Sequence, residues 1–335
     1  MAANTDRRRI NAPSGGTTAP VFAKTVKDGA YLEQLRPRRT RGKDELRKIY
    51  DPTKANPSVL QTSIIPSASG SAYLELPSQS SPKSTSTLIP PPSTLKISAS
   101  IQGPKPLPRS APFSPSLLLT TTVKFAPFAT RHRRGYIRDA VERDLGVHLE
   151  TALRGVIIGE RWPKSGVEVV ITILEGEEDA WWGDDAGSGN GNGGGWGLLN
   201  VLAGCITVAG AAIVDAGIDC VDMVSGGVAA VVRDNKDGKE LVRILDPCPA
   251  EHQDIVAACA VGYLPSRDEV TEVWVKGDVG EDPDQLIEGA TFAALGSVGV
   301  MKEVFLESLQ GKFEGHISEA KESGKRKQED VEMSG

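Results

Sequence analysis

The chain is poor in cysteine and in metal-ligand spacings, and this shortage excludes two classes of protein. Only four cysteines occur in 335 residues, without a CxxC pair or a Cys/His ligand spacing, so neither a disulfide framework nor a structural metal site is expected. The four histidines are scattered as well. We expect the cysteines to be reduced thiols in apolar surroundings: Cys205, Cys220, Cys248 and Cys259.

The chain also lacks an excess of positive charge and a long uninterrupted apolar run. Its net charge of −6 gives no general case for nucleic-acid binding, so basic clusters must be judged one by one. No apolar run could cross a bilayer without glycines or polar residues, and the start MAANTDRRRI has no apolar centre of a signal peptide. These absences predict an intracellular protein with no membrane partner, metal or cofactor.

What the sequence does contain is one segment, Gly193–Asp219, that is apolar on every side. A helix with no polar face must be covered all round, so this segment predicts a buried core helix. Gly217 supplies the left-handed stop that commonly ends a helix. A glycine-rich loop precedes the helix, where unpaired N–H groups and the helix dipole favour an anion.

Apolar patterns elsewhere predict strands of period two and helices of period near four. Two extended segments meet near Gly70, and two amphipathic helices are expected over Arg131–Ile158 and Pro283–Leu309. The other predicted strands are Leu95–Ile101, Leu117–Phe125, Val167–Leu174, Met223–Val232, Glu240–Leu245, Ile255–Tyr263 and Val270–Val275. This order predicts an α+β fold, a mixed sheet packed with helices in a single domain.

Composition divides the chain into a domain and two tails. Residues 1–34 have no hydrophobic period and are expected to be a disordered tail, and residues 310–335 are expected to be a polar tail. The domain spans residues 35–309. Loop insertions interrupt it at about 77–92, rich in Pro, Ser and Thr, and at about 176–195, first acidic and then rich in glycine.

Several segments resemble, in the same order, segments of RNase PH-like proteins. Among them are IIPSASGSAYLEL, KFAPFATRHRRG and AAIVDAGIDCVDMVSGGVAAVV, in which the core helix turns into the next strand. The chain looks most like the catalytically degenerate ring subunits of the eukaryotic RNA exosome, of the messenger-RNA-transport-regulator type. The resemblance implies an RNase PH-like fold (ribosomal protein S5 domain 2-like) and a place in a hexameric ring beside other such subunits, with RNA-binding cap subunits on one face.

The resemblance also implies where active relatives, which cleave RNA from its 3′ end with inorganic phosphate, hold that phosphate. They use a Gly-Gly-Thr-Arg motif at the start of the core helix, since phosphate needs backbone N–H groups and a fixed cation. Here Trp196 replaces the Thr and Gly197 replaces the Arg. The degenerate phosphate loop is therefore predicted at Gly194, Gly195, Trp196 and Gly197.

The same comparison predicts that the catalytic acid is lost. Ala258 stands where active relatives carry an Asp as the general acid, although an alignment slip of a few residues would make Asp254 a candidate. The glycine-threonine pair that usually closes the next strand is also missing, because Val275 and Lys276 stand there.

The resemblance therefore predicts a non-catalytic structural and RNA-guiding subunit that supports 3′-to-5′ RNA processing and degradation in the nucleus, nucleolus and cytoplasm. The alternative is an active phosphate-dependent 3′-to-5′ exoribonuclease. Cations in a proline-rich loop and before the first long helix are expected to contact RNA phosphates. They are Lys105, Arg109, Arg131, Arg133 and Arg134.

The sequence allows two other interpretations. Gly189, Gly191 and Gly194 match the dinucleotide-binding pattern GxGxxG, with Asp215 about twenty residues further on. That site needs a tight turn directly joining strand to helix, whereas a long insertion separates the preceding strand from this loop. An interaction protein with no RNA role is the second alternative.

Overall fold

The computed structural model describes residues 59–76, 95–130, 134–135, 137–179, 195–233, 241–249, 255–280 and 283–333. The predicted amino-terminal tail and the predicted insertion at 77–92 lie outside these residues. Both ends of the second insertion, 176–179 and residue 195, lie within them.

The described residues form nine strands and three α-helices. The strands are β1 Val59–Thr62, β2 Gly70–Leu76, β3 Leu95–Pro106, β4 Leu118–Phe125, β5 Ser165–Glu175, β6 Ser225–Arg233, β7 Leu241–Leu245, β8 Ile255–Leu264 and β9 Glu269–Gly277. The helices are α1 Ala140–Arg154, α2 Gly197–Asp215 and α3 Pro283–Met333, and a short 3₁₀ turn covers Gly159–Arg161.

The strands are divided between two sheets. The first has the order β1-β2-β3-β5-β4 and is mixed, because β4 runs parallel to β5 while the other neighbouring strands pair antiparallel. The second has the order β7-β6-β8-β9 and is antiparallel throughout. The predicted α+β class is confirmed, with helices packed on mixed and antiparallel sheets.

Helix α2 is the predicted core helix and contacts strands of both sheets. Small residues allow the close packing: a Cβ on Gly210 would lie 2.3 Å from the carbonyl oxygen of Val224. Gly217 has a φ of 67° and ends the helix as expected. By length and composition, α2 and the Pro283–Gln310 part of α3 could each cross a membrane, but α2 is 89% buried inside the protein.

Helix α1 begins nine residues later than the predicted Arg131–Ile158 helix, at Ala140. Asp139 and Glu142 form a capping box there, in which the side chain of each residue accepts the backbone N–H of the other. The predicted start was wrong because apolar spacing does not reveal the residue at which an amino-terminal cap begins the helix. Arg134 consequently lies in the loop before α1 instead of in its first turn.

Helix α3 continues to Met333, beyond the predicted end at Leu309. Its first half packs on the second sheet through Leu286, Ala290 and Ala294. The predicted polar tail is thus helical up to Met333. Its sequence has no proline and is rich in Glu and Lys, which have high helix propensity even where no apolar face exists.

Candidate functional site

The start of α2 forms the predicted anion nest, and a side chain of the same chain occupies it. Gly195 has a φ of 102°, which turns its N–H group toward the same side as that of Gly197. Both N–H groups donate to the carboxylate of Asp179, Gly195 to Oδ2 and Gly197 to Oδ1, the latter at 2.7 Å. Gly194 lies outside the described residues. A carboxylate at a helix amino end is favourable because it satisfies unpaired N–H donors and complements the dipole.

Gly197 leaves no space for a side chain. A Cβ at this position would lie 2.4 Å from the carbonyl oxygen of Glu177, a distance that only movement of the backbone could relieve. The segment after β5 therefore crosses the place where a side chain at position 197 would begin.

Buried hydrogen bonds hold this segment in place. Asn200 on α2 is 3% exposed, and its Nδ2 donates to Glu177 Oε2 at 2.7 Å and to the Pro247 carbonyl oxygen at 2.6 Å. The first bond joins the segment after β5 to the helix, and the second joins the helix to the chain after β7. Since buried hydrogen bonds to a charged group are among the stronger ones, the segment is firmly attached.

Trp196 is a packing residue. Its side chain is 8% exposed, and a Cβ on Gly277 would lie 3.0 Å from its ring. Nζ of Lys276 lies 5.1 Å from the centre of the same ring, within the range of a cation–π interaction. The indole thus joins the start of α2 to the end of β9 and carries no hydroxyl that could bind phosphate.

Lys276 supplies a cation that the sequence comparison did not place at the nest. A Cβ on Gly195 would lie 3.1 Å from Lys276 Nζ, so the ammonium group lies beside Gly195. This cation comes from β9, whereas the sequence comparison considered the residues at the start of α2. In the sequence, the alternation of side chains along β9 indicates that Trp274 and Lys276 lie on the same face of that strand.

Ala258 lies on β8 directly opposite Lys276 of β9 and Ala230 of β6. It is 1% exposed and belongs to the core around α2, whereas its neighbours Ala257 and Cys259 belong to the core beneath α3. Position 258 thus faces the α2 side of the sheet, but a methyl group cannot transfer a proton. Asp254 lies outside the described residues, and β8 begins one residue after it.

The predicted RNA-binding cations lie at opposite ends of the first sheet. Lys105 and Arg109 are exposed at the end where β5 begins, and Lys105 Nζ donates to Gln102 Oε1 at 2.7 Å. Arg134 lies at the other end, with its guanidinium 4.2 Å from the Phe125 ring centre and 3.6 Å from Asp139 Oδ2. Arg131 and Arg133 lie outside the described residues. The nest, which Asp179 reaches just after β5, shares the end that holds Arg134.

The dinucleotide interpretation fails on geometry. Asp215 ends α2, a 19-residue helix, and so lies roughly 28 Å from the start of that helix. Its carboxylate accepts hydrogen bonds from Ser63 N–H at 3.1 Å, Ser63 Oγ at 2.6 Å and Ser71 N–H at 2.9 Å, and thereby braces β1 and β2. Among the described residues, no three His, Cys, Asp or Glu side chains are grouped so that they could hold a metal ion.

The two sheets, the core helix between them and the nest at its amino end define an RNase PH-like protein. The model of the 3′ exoribonuclease family, domain 1, matches residues 56–219. The chain belongs to this family of RNase PH-like proteins, and the resemblance drawn from the sequence is confirmed.

Known relatives agree over most of the chain. It is 47% identical to the exosome complex component MTR3 of Chaetomium thermophilum, over 91% of this chain and 99% of that protein. It is 26% identical to the exosome complex component MTR3 of Homo sapiens, over 82% of this chain and 84% of that protein. The crystal structure of rice Rrp46 matches with a TM-score of 0.52 and 18% identity, covering 75% of this chain and 96% of that one, which supports the fold.

Proposed function

We propose that this protein is a non-catalytic structural subunit of the RNA exosome ring and guides RNA through it toward a nuclease bound elsewhere. The observation that carries the non-catalytic part is the Asp179 carboxylate, which receives the N–H groups of Gly195 and Gly197 in the place of a phosphate. Its relatives in fungi and in Homo sapiens are exosome complex components, which supports membership of that assembly.

Phosphorolysis needs a bound phosphate and a proton donor, and three features oppose both. An inorganic phosphate would have to displace Asp179, whose negative charge repels it. The position of the phosphate-binding arginine has no space for a side chain, because the Glu177 carbonyl oxygen lies against Gly197. Ala258 offers no proton to the departing ribose oxygen. Lys276 beside the nest then serves as the counter-charge of Asp179.

The proposed partners are other RNase PH-like subunits in the ring, RNA-binding cap subunits and RNA. Lys105, Arg109, Arg131, Arg133 and Arg134 would contact phosphates of the threaded strand, which makes binding independent of sequence and sensitive to salt. The proposed location is the nucleus and nucleolus and also the cytoplasm, which imaging of the tagged chain in its own cells would test.

The first experiment is to measure the composition and mass of the complex that co-purifies with the tagged chain. A stoichiometric assembly with several RNase PH-like chains and cap proteins is expected. A lone chain or a homo-oligomer would contradict the ring proposal and favour an enzyme that acts by itself.

The second experiment tests catalysis in that purified complex. Release of nucleoside diphosphates from the RNA 3′ end is followed with and without inorganic phosphate, for the wild-type chain and for Asp254→Ala. We expect Asp254→Ala to leave the release of nucleoside diphosphates unchanged. A phosphate-dependent activity that disappears with Asp254→Ala would show that this chain is catalytic, since Asp254 is its alternative candidate acid.

A further inference from the structure

We infer that Phe113 and Phe128 are stacking platforms for the bases of the RNA, one at each end of the first sheet. The inference rests on the proposed RNA-guiding function and adds to it the residues that contact bases instead of phosphates. Each side chain is 73% exposed, more than any other large hydrophobic side chain in the described residues. Both stand in the loops that carry the predicted RNA-binding cations.

Phe113 is held in a fixed loop. This loop joins β3 to β4, and three backbone hydrogen bonds attach it to the chain before β5: Leu107 N–H to the Lys164 carbonyl at 3.0 Å, Lys164 N–H to the Ser114 carbonyl at 2.9 Å, and Leu117 N–H to the Gly159 carbonyl at 2.9 Å. The phenylalanine therefore projects from a segment whose backbone is fixed on both sides. An aromatic side chain on a loop that is already ordered loses less conformational entropy on binding than one on a mobile loop.

Cations outnumber anions in the segments next to Phe113. Its neighbour Ser114 accepts the hydrogen bond of the Lys164 backbone, Arg109 precedes it in the same loop, and Lys105 lies at the end of β3. Glu160 is the acidic residue of the adjoining 3₁₀ turn, where Arg161 pairs with Asp219 at 3.2 Å. These segments therefore carry a net positive charge.

Phe128 shows the same arrangement at the opposite end of β4. It lies in a turn closed by the Ala129 N–H, which donates to the Ala126 carbonyl at 3.0 Å. Ala126 and Ala129 are 7% and 3% exposed, whereas Pro127 and Phe128 of the same turn are exposed, and Phe128 is its aromatic side chain. Arg134 N–H donates to the neighbouring Pro127 carbonyl at 3.2 Å, and Arg131 and Arg133 follow in sequence.

RNA fits these two sites better than a protein partner does. The core of a protein interface is depleted in charged residues, whereas both phenylalanines stand among cations. Sites for single-stranded nucleic acid combine a cationic track with aromatic side chains on which bases stack, whatever the base. The two platforms lie beyond opposite ends of β4, a strand roughly 25 Å long, so they would hold separate bases along one RNA strand.

The test uses the assembled complex with the full-length chain, and a fluorescent single-stranded oligouridylate whose affinity is measured by anisotropy over a salt series. Phe113→Leu with Phe128→Leu keeps apolar area but removes both rings, and Phe113→Tyr with Phe128→Tyr keeps the rings. We expect the Leu pair to weaken binding about tenfold or more with an unchanged salt slope, and the Tyr pair to bind like wild type.

Lys105→Glu with Arg109→Glu separates failure of this inference from failure of the proposed function. If this variant weakens binding and flattens the salt slope while the Leu pair binds normally, base stacking is wrong and RNA guiding stands. If neither variant changes binding, the RNA-guiding function itself is wrong. A Leu pair that folds, as judged by circular dichroism, but does not enter the complex would show that the phenylalanines contact protein, which also overturns the inference.

Discussion

At the scale of single residues, Gly197 shows how closely the candidate site is packed. Its Cα faces the backbone carbonyl of Glu177, and an added methyl group would lie 2.4 Å from that oxygen. The neighbouring Gly195 is constrained for a different reason, because its φ of 102° is a conformation that other residues rarely adopt. The backbone at the start of α2 is therefore closely constrained at both glycines.

We predict that Gly197→Ala lowers the free energy of unfolding by about 1–3 kcal/mol, because the backbone must shift to relieve the overlap. Chemical denaturation followed by circular dichroism measures this change. Gly299→Ala is the matched control, since a Cβ there meets no atom within 4 Å, and we expect it to be neutral or stabilising by up to about 1 kcal/mol. Equal effects of the two variants would contradict the packing argument.

The cysteines give a second prediction at this scale. Burial raises the pKa of the Cys259 thiol to about 11 and raises that of Cys205 further. Burial raises the pKa of Cys220 as well, together with the nearby charges of Asp222 and Asp219. A raised pKa lowers the thiolate fraction, and the thiolate is the reactive form. Iodoacetamide near pH 8 should therefore label the folded chain slowly and the chain in denaturant fast; fast labelling of Cys259 in the folded chain would contradict its burial.

At the scale of elements, Glu142 determines where α1 begins. It is 1% exposed, and its carboxylate accepts N–H groups of Phe125 at 2.9 Å and Asp139 at 3.0 Å and the Lys124 ammonium group at 3.0 Å. One side chain thus caps the helix and joins it to the end of β4. The loop that carries Phe128 and Arg134 runs between these two attachments.

Glu142→Ala should destabilise the protein by about 2 kcal/mol or more, because it leaves buried N–H donors and a lysine without their acceptor. Glu150→Ala on the same helix removes an exposed pair with Arg154 and should cost about 0.5 kcal/mol or less. Thermal unfolding of both variants measures the difference. Similar melting temperatures would show that Glu142 does not hold this element.

At the scale of the whole molecule, helix α3 carries apolar side chains on two sides. Leu286, Ala290 and Ala294 are buried against the second sheet. Phe292, Leu295 and Leu306 are 54%, 44% and 60% exposed, and helical geometry puts them on the opposite side. A second apolar side is typical of a chain that is covered in its assembly and associates non-specifically when alone.

We predict that Phe292→Glu reduces light scattering by the isolated chain on concentration and leaves its melting temperature nearly unchanged. Phe305→Glu on the same helix is the control. Phe305 packs against the main core, so a charge there should lower the melting temperature instead. Unchanged scattering with Phe292→Glu would show that this side of α3 does not cause association.

Most elements could be predicted because local patterns specify them. The all-apolar segment predicts α2, and Gly217 predicts its end, since both depend on residues within a few turns. The boundaries of α1 and α3 were less predictable. A cap made by Asp139 and a charged helix that continues to Met333 leave little trace in apolar spacing.

The sequence by itself determined the α+β class, the core helix, the lack of a hydroxyl or a cationic side chain at Trp196 and Gly197, and the cations near the two loops, because each is a matter of residue type or short-range period. The tertiary structure decided what fills the nest. Asp179 comes from an insertion and Lys276 from a distant strand, and both meet Gly195 because the sheets and α2 pack in one particular way. Contacts between residues so far apart depend on side-chain packing across several elements, which no local pattern encodes.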